Sequence, residues 1–450
     1  MPKKSLKTTA ARRARKPTRA THGAQRPPAS SRLPELRTRL LKYVDVILDV
    51  GLNLRRGQGL LIVNSLLNGV DVSLAPFVRL VAQAAYRRGA SYVDVIWGDP
   101  LLERIRLQHA QPESLKQYPK WPAAARWEHV EPGDAYLALR ADDPDLLAEI
   151  DPALVGNYIA AIREPGKHLL PYMSRNVANW CVATVSAPAW ASKVLPHVPE
   201  AERVARLWDL IFETCRLDAE DVVGRWRAHV ADLAARKEYL NSKQYAALMY
   251  TAPGTHLKVG LPVGHVWHGG QMTAENGVEF VPNLPTEEVF TLPHRANVEG
   301  EVSSTKPLVY NGSTIEGMHL TFAQGEVVKF TARRGEAILG ELIRSDEGSR
   351  RLGEAALVPH SSPVSRMGVT FHSTLFDENA ACHLAFGQAY RFTLREAQTE
   401  SDDAFAQRGG NSSKVHSDFM IGSARMDIDG LRQDGTSEPV MRSGEWAFKV

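Results

Sequence analysis

The chain has 450 residues, of which 44% are hydrophobic and 23% are charged. This composition is typical of a globular protein with two or three domains. The sequence has no apolar run of about 18 residues or more, so we predict no membrane span. Residues 1–32 carry four lysines, six arginines and no acid, so the formal net charge of +3 leaves the rest of the chain at −7. Binding to nucleic acid or another polyanion would therefore depend on this basic segment alone.

The N-terminal segment and the cysteines bear on cellular location. Residues 1–35 lack the apolar stretch of a secretory signal. Their Arg, Ser and Ala also fit an organellar transit peptide, but Pro, Gly and Lys interrupt them, so we predict a disordered basic extension without an important nucleic-acid contact. Three cysteines with no CxxC pair, Cys181, Cys215 and Cys382, favour a reducing compartment, and we expect a cytoplasmic protein.

Residues 36–200 are predicted to form an open α/β domain. An amphipathic helix ends near Gly51, a buried strand covers Leu60 to Val63, and a second helix ends at Gly89 before the strand-like SYVDVIW. Strand, helix and strand in this order indicate a parallel sheet. Three further stretches are strand candidates: DAYLALRADDP, GKHLLPYMS and WCVATVSAP. The segment has neither GxGxxG nor GxxxxGK[ST], so no nucleotide cradle is indicated.

The C-terminal half has a different texture. Residues 201–250 are predicted to be a mostly helical linker, and from Thr255 onward short alternating strands are separated by Gly and Asn turns. Residues 251–450 are therefore expected to form a second, β-rich α/β domain. The predicted fold class is α/β, with an open N-terminal α/β domain and a C-terminal domain that carries the candidate site.

Acids and histidines recur within apolar sequence between residues 280 and 423. They are Glu287, Glu288, Glu354, Asp377, Glu378, His383, His416 and Asp418. Taken singly, each acid would most often be exposed or would cap a helix. Together, several carboxylates and two imidazoles suit one divalent cation or two.

The spacing of these residues carries partial information. On a strand, His416 and Asp418 would leave the same face, whereas Glu287 and Glu288 would point in opposite directions. His383 and Tyr390 share a face only if HLAFGQAY is helical, and the sequence leaves helix or strand open. The histidines of HVWHGG precede a Gly-Gly turn and are not expected to bind metal. Cys382 and His383 are sequence neighbours with no third orienting group, so a Cys–His nucleophile is not expected.

These blocks resemble those of a known family. PTEEVFT, LGE, LFDENAACH and HSDFM occur in the order found in the M29 metallo-aminopeptidases, the aminopeptidase T and aminopeptidase S group. The similarity extends from KYVDVILDVGLNLRRGQGLLI to the terminal GEWAF. One departure is visible, because His372 stands where the family more often has Tyr, which bears on substrate preference rather than on the metal site.

The resemblance implies a site that holds two divalent cations, Zn, Co, Mn or Mg. Six ligands are implied: Glu288, Glu354 as the bridge, Glu378, His383, His416 and Asp418. Tyr390 matches a tyrosine beside the metals, and we expect it to stabilise the oxyanion. Glu287 or Glu378 would carry the proton to the leaving amine, and the sequence does not choose between them.

The resemblance also implies the activity. We expect a metallo-aminopeptidase that removes the N-terminal residue from small peptides with a metal-activated water, acting as a homodimer. One alternative is a metal-dependent amidohydrolase that acts on a specialised amide. The other is a peptide- or metal-binding homologue without turnover, which the presence of all six implied ligands disfavours. The native metal and the preferred first residue are not predicted.

Overall fold

The computed structural model describes residues 29–65, 69–141, 143–169, 175–310 and 313–450. Most of the predicted basic extension lies outside the described residues, and the first helix begins at Ala29. Residues 39–450 form a compact unit. The described α-helices are α1 Ala29–Val46, α2 Ala75–Arg87, α3 Pro100–His109, α4 Trp121–Val130, α5 Pro152–Gly166, α6 Pro188–Val194, α7 Glu200–Thr214, α8 Val222–Lys243, α9 Glu336–Ile343, α10 Pro363–Arg366, α11 Thr374–Asp377 and α12 Asp402–Gln407.

The described strands are β1 Leu60–Val63, β2 Val70–Asp71, β3 Val93–Val95, β4 Trp97–Gly98, β5 Ala135–Arg140, β6 Trp180–Thr184, β7 Ala247–Ala252, β8 Thr255–Gly260, β9 His268–Gly269, β10 Met272–Thr273, β11 Glu279–Phe280, β12 Val289–Thr291, β13 Val298–Ser303, β14 Leu308–Tyr310, β15 Ser313–Ile315, β16 His319–Ala323, β17 Glu326–Thr331, β18 Leu352–Leu357, β19 His383–Gly387, β20 His416–Met420, β21 Asp427–Leu431, β22 Ser437–Arg442 and β23 Glu445–Trp446. The chain is thus helix-rich in its first half and strand-rich in its second, as the sequence predicts. No helix in the described residues has the length and apolar character needed to cross a bilayer.

The N-terminal half contains a parallel sheet with strand order β3-β1-β5-β6. All four residues of β1 are buried, as expected for a strand covered on both faces. This confirms the predicted open α/β organisation. The strand predicted in GKHLLPYMS is wrong at its start, where α5 continues into a 3₁₀ helix over Lys167–Leu169; residues 170–174 lie outside the described ones.

The C-terminal half contains two large antiparallel sheets. An eight-stranded sheet has the order β17-β16-β13-β8-β7-β21-β22-β23, and a five-stranded sheet has the order β20-β19-β18-β12-β9. Leu257 and Val259 from the first sheet and Leu384 and Phe419 from the second belong to one buried apolar cluster. Because strand side chains alternate, the five-stranded sheet buries one face in this core and leaves the other face available for polar groups.

One segment links the two halves before it enters the five-stranded sheet. The Val182 N–H of β6 donates to Pro282 O at 2.7 Å, and the Leu284 N–H donates back to Val182 O at 3.0 Å. The segment 282–284 therefore extends the edge of the parallel sheet. It then continues through Glu288 into β12, which lies between β18 and β9 in the five-stranded sheet. The helices α7 and α8 confirm the helical character predicted for 201–250, while the proposed domain boundaries stay a prediction.

Candidate metal centre

The candidate site lies on the face of the five-stranded sheet that turns away from the apolar core. Leu384 of β19 packs in that core, so its neighbours His383 and Ala385 point to the opposite side. Ala385 stands directly opposite Glu354 on β18 and Asp418 on β20. A small side chain between two carboxylates leaves room above the sheet. The strand form of HLAFG also settles the choice that the sequence left open.

A β-bulge orients Glu354. The register between β18 and β19 shifts between Leu352 and Glu354, with Gly353 as the extra residue. A Cβ atom on Gly353 would lie 2.4 Å from the Gln388 carbonyl oxygen, which is far too close for any side chain. The Gly in the LGE block is therefore required by the approach of the neighbouring strand, and it sets the direction of the glutamate that follows.

Glu354 stands between two histidines. Its Oε1 lies 3.4 Å from His383 Nε2, and its Oε2 lies 3.8 Å from His416 Nε2. Glu288 Oε2 approaches the same His383 nitrogen at 3.2 Å, and Asp418 Oδ1 approaches the same His416 nitrogen at 3.4 Å. The donors thus form two groups with Glu354 common to both: Glu288, Glu354 and His383, and Glu354, His416 and Asp418.

Both imidazoles are fixed by the backbone. His383 Nδ1 lies 3.1 Å from Ala381 O, and His416 Nδ1 lies 2.8 Å from Gln388 O. A carbonyl oxygen only accepts, so each Nδ1 carries a proton and donates it. In the neutral imidazole this leaves the Nε2 lone pair directed toward the carboxylates. Such a backbone contact is the usual way in which a metal-binding histidine is oriented.

The environment requires positive charge, and a divalent cation fits it. The buried atoms Glu288 Oε2 and Asp418 Oδ1 have no hydrogen-bond donor. Burial alone would lower the pKa of His416, but the charge and hydrogen-bond contact of Asp418, together with the charge of Glu354, raise the pKa to about 10. If the carboxylates of Glu288, Glu354, Glu378 and Asp418 are all ionised, even two protonated imidazoles leave a net negative charge that a divalent cation would neutralise. Oxygen and imidazole donors around a common point are ligands of Zn²⁺, Mn²⁺ or Co²⁺.

Glu378 lies beside these groups but belongs to neither. It begins a short 3₁₀ helix, Glu378–Ala380, that follows α11. Burial and then the negative charge of Glu288 hold the pKa of its carboxyl well above the ordinary value. The two groups thus contain five of the six predicted ligands, and Glu378 is not among them.

Glu287 faces away from the donors. Arg216 holds its carboxylate with two hydrogen bonds, Nη1 to Oε1 at 2.5 Å and Nη2 to Oε2 at 2.7 Å. Its backbone N–H donates to Asn379 Oδ1 at 2.6 Å. The opposite orientations of Glu287 and Glu288 agree with the predicted alternation. Sequence reasoning missed Arg216 and Asn379: Arg216 is remote along the chain, whereas the position of Asn379 next to Glu378 was an available signal.

Tyr390 lies over the His416 side of the site. The two ring centroids are 5.0 Å apart, and Tyr390 stacks on Phe392 at 5.2 Å. Phe290, two residues after Glu288, packs edge-on against Tyr390 at 6.3 Å. Tyr390 is 41% exposed, so this aromatic group supports the ring from behind and leaves part of it accessible. Desolvation and then the charge of Glu354 raise the pKa of its hydroxyl.

The remaining sequence candidates are structural. His265 Nδ1 contacts Pro262 O at 2.9 Å, and His268 Nε2 contacts Phe392 O at 2.9 Å. Neither belongs to a group of three donors in the described residues. Burial raises the pKa of the Cys382 thiol to about 11, and the thiol donates to Val358 O at 3.3 Å. These contacts give the three side chains structural roles, and the expectations that HVWHGG binds no metal and that Cys382 is not a nucleophile stay predictions.

Asp377 and His372 belong to the loop before Glu378. The Asp377 carboxylate accepts the backbone N–H of Phe371 at 2.9 Å and of Ser373 at 3.2 Å. Asp377 therefore shapes this loop rather than contributing a ligand. His372 lies between Phe371 and Ser373, has a positive φ of 53° and is partly buried.

Comparisons with known proteins give one answer. A profile of the thermophilic metalloprotease family M29 matches residues 36–446. Aminopeptidase 2 of Geobacillus stearothermophilus is 45% identical over 412 residues, which cover 91% of this chain and 98% of that protein. Aminopeptidase T of Thermus thermophilus is 44% identical over 407 residues, covering 90% and 98%. The solved structure of wild-type AmpT from Thermus thermophilus matches with a TM-score of 0.86 and 42% identity over 92% of this chain and all of that one.

Proposed function

The chain belongs to the M29 family of metalloproteases and is a metallo-aminopeptidase, and we propose that it releases the N-terminal residue of small peptides at a site for two divalent cations. The observation that supports a pair of ions is the position of Glu354, whose two oxygens turn toward different histidines. Glu288 and His383 would hold one ion, and His416 and Asp418 would hold the other. The family of this chain implies a divalent metal; the number of ions and their identity, Zn, Co, Mn or Mg, are part of the proposal.

The chemistry divides between the ions and the side chains. When bound, divalent cations lower the pKa of a water and polarise a carbonyl, and thereby supply a nucleophile near neutral pH. Ala385 keeps the face open between the carboxylates of Glu354 and Asp418. The apolar core behind the sheet excludes water from the far side of the donors.

Two side chains at the rim are assigned to the substrate. Tyr390 is partly exposed and lies beside His416, so its hydroxyl can donate a hydrogen bond to the oxyanion that develops on the scissile carbonyl. Glu378 is partly buried at the border of the donor groups, and we assign it the proton that reaches the leaving amine. Glu287 is the weaker candidate for this role because Arg216 occupies both of its oxygens. A ligand role for Glu378 stays a prediction.

We further propose a cytoplasmic homodimer. All three cysteines are buried free thiols, as expected in a reducing compartment. Sedimentation equilibrium tests the dimer, and fractionation of the native host tests the location. A monomer at micromolar concentration would contradict the dimer, and a secreted protein would contradict the cytoplasmic location. Neither result would bear on the proposed reaction.

The requirement for a free N-terminus tests the proposed activity. A neutral α-amine can coordinate a cation, whereas an acetylated nitrogen is a poor donor and adds bulk at the site. We expect N-acetylation of a tripeptide to lower kcat/KM by about 10²–10⁴, because one anchor at the reacting centre and its alignment are lost. Release of the first residue is followed by mass spectrometry for the free and acetylated peptides. Equal cleavage of both, or cuts at internal bonds, would instead favour the metal-dependent amidohydrolase alternative or an endopeptidase.

A further inference from the structure

The segment that delivers Glu288 to the site is held by side chains outside the donor groups. His229 of α8 contacts Thr286 O through Nε2 at 2.8 Å, and a carbonyl acceptor means that the ring nitrogen donates. One residue later, the Arg216 guanidinium holds Glu287. Both contacts reach residues directly before Glu288. They come from the helical region 200–243, which contributes no donor to the candidate site.

The Arg216–Glu287 pair is buried and geometrically specific. The side chains are 11% and 3% exposed, and two parallel N–H···O contacts fix the plane of the carboxylate. Arg216 also lies over the Trp226 ring at 5.6 Å from its centroid. Its backbone has a φ of 58°, a left-handed conformation that is unfavourable for any residue but glycine. Such a conformation persists when surrounding contacts determine it, and the ion pair is one of them.

The Arg216–Glu287 pair is also connected to the segment that carries Glu378. The Glu287 N–H donates to Asn379 Oδ1 at 2.6 Å, and Asn379 Nδ2 donates to Leu375 O at 2.7 Å. Asn379 is fully buried and follows Glu378 in the chain. The backbone that carries Glu288 and the backbone that carries Glu378 are therefore tied together at Glu287.

Packing alone does not hold this segment. A cavity of about 740 Å³ is lined in part by Arg216, His229 and Glu287. The segment that carries Glu287 therefore borders open space on this side. If the guanidinium were removed, the buried carboxylate would lose both of its paired hydrogen bonds and would keep only the longer contact from His229 Nε2, 3.8 Å from its Oε2.

We propose that Arg216 is a positioning residue of the metal centre: by holding Glu287 it fixes the backbone that presents Glu288 and, through Asn379, the loop that presents Glu378. This rests on the proposed metal function. Partners outside the ligands typically contribute about 10–100-fold to metal affinity. The ion pair therefore acts on metal affinity and not only on folding.

The test is Arg216→Met in the full-length protein, titrated with Zn²⁺ alone in competition with a fluorescent chelator. We expect the dissociation constant to rise about 10–100-fold while the circular dichroism spectrum stays that of the folded protein. Arg88→Met is the matched control, because Arg88 also holds a carboxylate with two contacts, to Asp49 at 2.6 Å each, and lies far along the chain. Its Zn²⁺ affinity is expected to equal that of the unmodified protein.

Two further variants keep the proposal open to refutation. Arg216→Lys retains the charge but loses the paired geometry, so its affinity should lie between those of Met and Arg. Glu287→Gln, which retains the backbone contact to Asn379, serves if Arg216→Met does not fold and should weaken Zn²⁺ in the same way. Unchanged affinity in the folded Arg216 or Glu287 variants overturns the positioning role. Absence of Zn²⁺ binding by the unmodified protein overturns the proposed metal function instead.

Discussion

Two regions of this molecule bring histidine and carboxylates together, with different consequences. In the N-terminal half, His129 of α4 contacts Asp134 through Nδ1 at 2.9 Å and Asp94 through Nε2 at 3.2 Å. In the C-terminal sheet, His383 and His416 each give Nδ1 to a backbone carbonyl and turn only Nε2 toward carboxylates. The residue types are the same, but the second ring nitrogen has a different partner.

This difference separates a site suited to a proton from the site proposed for metal. The acids around His129 lie at opposite edges of its ring, so one ion cannot meet the imidazole and both acids, whereas a proton on each nitrogen satisfies all three. Asp94 is also 44% exposed, and Asp134 accepts the Gly59 N–H at 3.1 Å, so neither acid depends on the histidine alone. At the five-stranded sheet, the carboxylates approach only the Nε2 atom of each imidazole, and some of their oxygens have no hydrogen-bond donor. The location of the unsatisfied atoms, and not the number of acids, distinguishes the two regions.

The largest expected effect comes from Glu354→Gln, which removes the charge shared by both donor groups. Since replacement of partners outside the ligands costs about 10–100-fold, loss of this common ligand should lower metal affinity and kcat/KM by more than about 100-fold. Elemental analysis and peptide turnover measure the two effects.

His129→Gln is the control for Glu354→Gln, because it removes a histidine from a carboxylate cluster without touching the sheet. It should leave metal content and turnover unchanged. Full metal content and normal turnover in Glu354→Gln would show that Glu354 does not join the two groups.

Metal removal should separate the two regions by stability. Binding of a ligand at 100 times its dissociation constant stabilises the folded state by about 2.7 kcal/mol. A chelator should therefore speed amide hydrogen exchange in β18, β19 and β20, where buried carboxylates would lose their counter-ions. Exchange in β1 and β5 should not change. Mass spectrometry of the exchanged peptides measures the exchange rates in both sheets. Equal acceleration in the two sheets would contradict a metal centre confined to the five-stranded sheet.

Much of the fold was predictable from periodicity. The buried run Leu60 to Val63 and the following amphipathic helix indicated a parallel strand and its crossover, and both are present. The strand assigned to GKHLLPYMS failed because α5 runs into a 3₁₀ turn at Lys167. An apolar run of this length does not distinguish a strand from a helix end.

The site was predictable only as a set of residue types. The ordered blocks named the donors, but the sequence could not show that Glu354 turns its two oxygens toward different histidines, because that depends on the bulge at Gly353 and on the register of β19. Arg216 was missed for a related reason. Arg216 contacts Glu287 only after distant segments of the chain have folded together, and no local sequence pattern predicts such a contact.

The smallest expected effect concerns His129 and has a definite sign. Contact with Asp134 raises the pKa of the imidazole, burial opposes this, and Asp94 adds to it. A raised pKa in the folded state means that the contribution to stability is fully present below the unfolded pKa of about 6.5. It is lost as the pH rises through the folded value. Because Asp94 is partly exposed, solvent screening limits the contribution to about 1 kcal/mol.

His129→Gln should therefore lower the free energy of unfolding by about 1 kcal/mol at pH 5.5 and by close to nothing at pH 9. Urea denaturation of metal-free protein at the two pH values, followed by a probe in the N-terminal half, measures the difference and keeps the metal centre out of the result. His319→Gln is the control for loss of an imidazole beside a carboxylate, since its contact with Glu301 joins two more exposed side chains and should contribute less to stability. A loss of unfolding free energy that is equal at both pH values, or larger at pH 9, would mean that His129 contributes by packing and that its protonation does not stabilise the fold.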